Sequence, residues 1–177
     1  MFKIKLKNDL IVNVREASKD DAQSIIDFYN IVGGETNFLS FGENEFKRDL
    51  EEYKTFLTNS KEQQNTIILL VSLNEQIISI ASIHSSQAAR TKHVGTLGIV
   101  IKKEYWGLQL GNSLMEYLIE WSKQNAITRK IQLTCNEENS KAIRLYKKLG
   151  FEIEGIIKED TFIDRRYYHT VLMGLFL

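Results

Sequence analysis

The sequence predicts an α+β domain built around a mostly antiparallel sheet, and three observations predict it. Apolar runs of strand length stand next to one another and are joined by two-residue turns such as Asn8-Asp9 and Asn74-Glu75. Between other runs lie stretches whose apolar residues repeat with helical spacing. No internal repeat, low-complexity tract or linker divides the 177 residues, so residues 1–177 read as one domain. A chain of this size buries roughly 70% of its unfolded surface.

Lys3, Ile4, Lys5, Leu6 and Lys7 alternate with period two and Leu10 to Val14 alternate in part, which predicts strands over 3–7 and 10–14 in a hairpin. Ser18 is placed to cap a helix, with Asp20 and Asp21 in the first turn, where the helix dipole favours anions. Ala22, Ile25, Ile26 and Tyr29 supply its apolar stripe, and Gly33-Gly34 end it. Residues 35–42 (ETNFLSFG) read as a loop. A second helix is expected from about Glu43 to Thr58, because Phe46, Leu50, Tyr53 and Leu57 share one face.

The apolar run 66–73 reads as a buried strand, with 76–85 as its hairpin partner. Residues 93–102 form a further strand, followed by the turn YWGLQLGN and a helix from about Leu110 to Asn125. Leu110, Leu114, Tyr117, Leu118 and Trp121 are its stripe. A short strand at 130–134 leads to a helix from about Ser140 to Leu149, ended by Gly150. Strands at 151–157 and 167–176 close the chain, joined by the acidic-to-basic loop KEDTFIDRR.

Composition excludes several function classes. Lys+Arg and Asp+Glu both number 23, so there is no global basic field for nucleic acid. A single cysteine, Cys135, excludes an intramolecular disulfide and a zinc site of several thiolates. His84, His93 and His169 are scattered without metal-ligand spacing, so no metal is expected. No apolar run reaches the ~18–20 residues of a membrane span, and the alternating N-terminus reads as a strand and not a signal peptide. A cytoplasmic location is the default expectation. Proline is absent, where average usage of ~5% predicts about nine, so turns rest on Gly, Asn, Asp and Ser.

Two segments carry the chemistry. A strand that feeds YWGLQLGN into a helix N-terminus creates an anion site, because the first helical amides have no internal partner and glycine lets a phosphate approach. The spacing is neither that of a P-loop nor that of a dinucleotide fingerprint. In NEENSKAIRLYKKLGF, Ala142, Leu145, Tyr146 and Leu149 share a helix face. Lys141, Arg144, Lys147 and Lys148 form a basic patch on the other side, a local exception to overall neutrality.

Together, Trp106 to Asn112 and Asn139, Ala142, Leu145, Tyr146, Gly150 and Phe151 resemble the GNAT superfamily of acyl-CoA-dependent N-acyltransferases. The order of elements extends the resemblance over nearly the whole chain, and the ending resembles the bacterial branch of ribosomal-protein and small-amine acetyltransferases. The resemblance implies a mixed, mostly antiparallel sheet of about seven strands with about four helices, splayed between 93–102 and 130–134 to form a CoA slot. It implies acetyl transfer from acetyl-CoA to a primary amine, a small molecule or a protein N-terminus, by direct attack through a tetrahedral intermediate.

By the same resemblance, Ile99, Val100 and Ile101 pair with the pantetheine arm. The turn Trp106, Gly107, Leu108, Gln109, Leu110, Gly111 and Asn112 takes the phosphates, while Asn139, Ala142, Leu145, Tyr146 and Lys148 line the cofactor. Tyr146 is the expected general acid, since a hydroxyl of pKa ~10 is protonated at neutral pH and can donate to a thiolate of ~8.5. An amide near Val100 or Ile101 is the expected oxyanion donor. The family turn reads Gln/Arg-x-x-Gly-x-Gly/Ala, and only Gly111 matches it here; Gln109 is expected at negative φ.

Relatives carry a glutamate base where this chain has Thr96 or Thr134. A water chain or Glu35 is the alternative, and Glu35, Asn37 and Phe38 of the variable loop are the expected acceptor contacts. Cys135 reads as an inert buried thiol. Dimerisation is compatible with the C-terminal strands. A non-catalytic CoA-binding module and a nucleotide-binding α/β protein are the rival readings.

Overall fold

A computed structural model describes all 177 residues. The strands are β1 (Phe2–Lys5), β2 (Ile11–Glu16), β3 (Ile67–Leu73), β4 (Gln76–Ser85), β5 (Val94–Ile101), β6 (Lys130–Asn136), β7 (Glu152–Ile163) and β8 (Arg166–Phe176). They form one 8-stranded sheet in the order β1-β2-β3-β4-β5-β6-β8-β7, where about seven strands were expected. Every neighbouring pair is antiparallel except β5–β6.

The helices are α1 (Ala22–Val32), α2 (Leu50–Glu62), α3 (Leu110–Gln124) and α4 (Ser140–Lys148). One core, with Leu110, Leu114, Met115, Leu118 and Tyr146, lies between the sheet and α3 and α4. A second core packs Ile25, Phe28, Val32 and Leu57 of α1 and α2 against Leu70 and Ile80 on the other face. No helix is long and apolar enough to cross a membrane.

The β3–β4 hairpin forms where turn chemistry placed it, whereas β1 and β2 are joined over residues 6–10 and not by a two-residue turn at Asn8-Asp9: the Leu6 amide donates to the Leu10 carbonyl at 2.8 Å and Asp9 alone is left-handed, at φ 67°. Asn74 and Glu75 adopt φ of 48° and 67°, the left-handed pair of a two-residue turn that matches strand twist. The sequence misplaced two elements. The second helix begins at Leu50 and not near Glu43, because Asp49 caps it by accepting the Glu52 amide at 2.9 Å. Upstream, the Asn30 side chain holds Phe46 from both sides, accepting from its amide at 3.0 Å and donating to its carbonyl at 3.3 Å. Phe46 then packs its ring 4.5 Å from Tyr29, so its helical spacing reflects a tertiary contact.

The segment 158–166 is not a loop. It continues β7 and β8 as paired strands to a two-residue turn at Asp164-Arg165, with φ of 51° and 63°. Register shifts between Ile153 and Gly155 and between Ile157 and Thr161 absorb the extra residues. This arm is solvent-exposed along most of β7, so it carries no apolar alternation to betray it.

Arg15 ties the start of α1 to β2. Its guanidinium donates to both Asp21 oxygens at 2.7 and 2.6 Å, and that carboxylate also accepts the Ser18 amide at 2.8 Å. The Arg15 hydrogen bonds hold the Asp21 carboxyl down at about 2. Folding lowers this pKa from its ordinary 3.8, so the stabilisation is complete above that value and is lost as pH falls towards 2. Asp21→Asn is expected to cost about 1 kcal/mol at neutral pH, discounted for the exposure of Arg15. Denaturant melts of the two proteins should converge on acidification.

Candidate functional site

The one parallel pairing in the sheet is also its shortest. β5 and β6 pair over Val94–Thr96 and Lys130–Gln132 only, and the Gln132 amide donates to the Thr96 hydroxyl at 3.2 Å on the last rung. Beyond it, Leu97–Ile101 stays paired with β4 alone and Leu133–Asn136 with β8 alone. The sheet therefore splits between them.

The Lys102 amide donates to the Ile78 carbonyl at 2.9 Å. Antiparallel bonding alternates along a strand, so Val100 is bonded to β4, while the backbone groups of Leu97, Ile99 and Ile101 face the split. The open amides are thus those of Ile99 and Ile101, which removes Val100 as a donor. The Ile101 carbonyl is covered on that edge by the Trp106 indole N–H, at 2.7 Å.

The turn after β5 is a row of free donors. Ser113 is the first residue of α3 whose amide reaches a backbone acceptor, the Gln109 carbonyl at 3.2 Å. None of the amides of Gly107 to Asn112 donates to a backbone carbonyl. Gly107 supplies φ of +78° with open space where a Cβ would stand. Gln109 sits at φ +67°, in the left-handed region, where a negative φ was expected. The turn imposes this conformation to aim its amides outward, although a side chain there costs energy that glycine avoids. A Cβ on Gly111 would lie 3.4 Å from Ile101 and 3.6 Å from Leu145, so the turn, the end of β5 and α4 meet at this point.

α4 supplies the second wall. Asn139 caps it, its side-chain oxygen accepting the Ala142 amide at 3.2 Å. Tyr146 is buried, and burial, with the nearby Cys135 thiol, pushes its hydroxyl pKa up. Burial likewise pushes the Cys135 thiol up to about 11, so at neutral pH it is not a thiolate. Ala142 and Leu145 are half-buried, while Lys141, Arg144, Lys147 and Lys148 all point into solvent.

The 35–42 loop reaches the same region from the other face. Gly33 packs against the Gly42 backbone too closely for any side chain, which closes the loop at its neck. The Glu35 carboxylate accepts the Lys103 amide at 2.7 Å. The Phe38 ring stacks on Trp106 at 6.4 Å, and the Asn37 amide donates to Asp164, at the tip of the β7–β8 arm, at 3.3 Å. Loop, turn and arm are therefore linked.

His84, set aside as scattered on sequence grounds, is the register partner of Thr96 beside the last rung. Period-two alternation along 76–85 could have placed it on the face of Ile80 and Ser82. No group of three or more His, Cys, Asp or Glu side chains converges as a metal site. A surface cleft of about 520 Å³ lies elsewhere, between α1 and the β3–β4 hairpin, and meets this region only at Lys102.

Gln109→Gly is expected to raise stability by roughly 0.5–1 kcal/mol, the left-handed penalty less the added freedom of the unfolded chain. A higher denaturant midpoint at unchanged slope would show it.

Comparison with known proteins agrees with this geometry. Residues 27–151 match the model of the Acetyltransferase (GNAT) family. The crystal structure of an acetyltransferase of the GNAT family from Streptococcus pneumoniae is 37% identical, covers 94% of this chain and 99% of its own, and superposes with a TM-score of 0.88. An L-amino acid N-acetyltransferase of Escherichia coli is 29% identical over 60% of this chain and 65% of its own length. A spermidine N(1)-acetyltransferase of the same organism is 32% identical over 44% of this chain and 42% of its own. The matches thus span less than two thirds of these two curated relatives.

Proposed function

The chain belongs to the GNAT acetyltransferase family, and on that premise we propose that it transfers the acetyl group of acetyl-CoA to a primary amine, a small molecule or a protein N-terminus. Residues 1–177 act in this reading as one catalytic unit in the cytoplasm. The observation that carries it is the run of unpartnered amides from Gly107 to Asn112, opening beside a split sheet edge with Tyr146 buried on the opposite wall.

The residues present fit the co-substrate. Outward amides at a helix N-terminus suit a pyrophosphate, and the basic patch with Lys148 suits the remaining phosphate charge. The open edge of β5 offers the Ile99 amide and carbonyl and the Ile101 amide at the spacing that an extended amide-bearing arm requires. Asn139, Ala142, Leu145 and Tyr146 then flank the arm from α4. Relatives named for L-amino acids and for spermidine share an amine acceptor, which supports that substrate class here.

The amine nitrogen attacks the thioester carbonyl carbon, forming the C–N bond as the carbonyl electron pair moves to oxygen. The Ile99 or Ile101 amide holds that oxyanion, and positioning supplies much of the rest. As the C–S bond breaks, the Tyr146 hydroxyl passes its proton to sulfur. Burial disfavours the tyrosinate, so the hydroxyl stays protonated through the alkaline range and acts first as a hydrogen-bond donor.

Glu35, Asn37 and Phe38 bound the acceptor side, with Glu35 anchoring the loop on the Lys103 amide. The exposed Ile153, Ile156 and Ile157 of the edge strand β7 are where a homodimer of the C-terminal strands would form. Thr96 and Thr134, in place of a base, favour the rival reading of a CoA-binding module without turnover. Acetyl-CoA binding with no thioester consumption across an amine panel would select that rival.

Tyr146→Phe is expected to lower kcat about 100-fold or more with acetyl-CoA affinity retained, and the wild-type alkaline limit should lie above pH ~10. Full turnover by the folded variant would remove Tyr146 from the reaction. Phe38→Ala is expected to raise the acceptor KM several-fold in steady-state assays with the circular dichroism unchanged.

A further inference from the structure

The reaction proposed above needs a group to take the proton that the attacking amine sheds, and the present inference rests on that reading. Thr96 and Thr134 cannot take it at neutral pH. The Glu35 carboxylate is already engaged, accepting the Lys103 amide at 2.7 Å and so anchoring its loop. We propose that His84 on β4 is the catalytic residue that accepts the proton of the incoming amine.

The placement comes from the register. His84 and Thr96 are partners across β4 and β5. They lie an even number of residues from the Ile78–Lys102 bond, so they form a hydrogen-bonded pair whose side chains stand on one face about 5 Å apart. Thr96 is the last β5 residue paired with β6, so His84 stands at the apex of the split.

Its face is that of α1 and α2, since its ring packs 5.4 Å from Phe56 of α2. The cofactor wall of α3 and α4 lies on the opposite face. An acceptor entering from the α1–α2 side therefore passes the imidazole before it meets a thioester held along β5. The distance along the strand from Thr96 to the open Ile99 amide is about 10 Å, which an amine and one relaying water span.

The groups placed against His84 carry no charge at neutral pH: the Phe56 ring, Tyr53 behind it with its hydroxyl pushed up to about 12 by burial, and Thr96, its register partner on β5. No carboxylate holds a proton on the ring, and burial alone shifts its pKa, downward. The imidazole is thus a free base when the amine arrives. The amine proton passes to a ring nitrogen, directly or through the water, leaving a neutral amide. The imidazolium returns that proton to solvent, and Tyr146, having given its proton to the departing thiolate, takes one back from solvent, so both groups are restored.

The test uses the full chain with acetyl-CoA and a panel of primary amines that includes spermidine and L-amino acids. For an amine that wild type acetylates, His84→Gln is expected to lower kcat/KM about 100-fold or more with acetyl-CoA affinity and melting temperature retained. The lower ionisation of the kcat/KM profile, below pH ~6.5, should disappear. In His84→Ala, added imidazole should restore part of the rate. Wild-type rates in both variants would overturn the assignment and leave the acetyltransferase reading intact. So would a loss of rate that keeps the lower ionisation and gains nothing from imidazole, since that marks a structural role. Acetyl-CoA binding with no amine acetylated by wild type would overturn the reading itself, and the role of His84 with it.

Discussion

The structure depends on one pairing that stops. β5 and β6 are the only parallel neighbours in the sheet, and they share three rungs before parting. A parallel pair cannot be joined by a tight hairpin, so the chain between them must cross a face, and α3 makes that crossing. The crossover puts the N-terminus of α3 at the mouth of the split. The open strand edge and the unpartnered helix amides are therefore consequences of the same connection.

The split leaves unpaired backbone in the middle of a sheet, where an open edge is ordinarily a liability. Here it is partly covered at its open end. Trp106 takes the Ile101 carbonyl, Phe38 stacks on Trp106, and Asn37 reaches the tip of the β7–β8 arm. Gln109 in a left-handed conformation shows how firmly the turn is determined, since the chain accepts a cost there to present its amides. The two faces differ, with free amides and a buried tyrosine on one and a half-buried histidine packed on Phe56 on the other.

Much of this was legible before any coordinates. The β4 bounds follow the sequence reading to the residue, because the polar Asn74-Glu75 turn precedes the strand and the polar Ser86-Gln87 follows it. α3 and α4 fall where their apolar stripes place them, and Gly150 follows α4 at φ +93° as its expected stop. The failures have a common cause. Phe46 carried helical spacing, yet Asn30, sixteen residues away, holds its backbone out of the helix. The charged 158–166 stretch pairs as strand because its partner supplies the ladder. In both cases a distant contact outweighed a local pattern.

The site divides along the same line. By itself the sequence determined most of the elements, the turn before α3 and Tyr146 on a buried face, because periodicity and turn residues are local properties of the chain. Only the tertiary structure decided that β5 parts from β6 after Thr96, that Ile99 and Ile101 and not Val100 face the gap, and that His84 stands beside that apex. Those facts are set by register between strands distant in sequence, where a shift of one residue would turn every side chain to the other face.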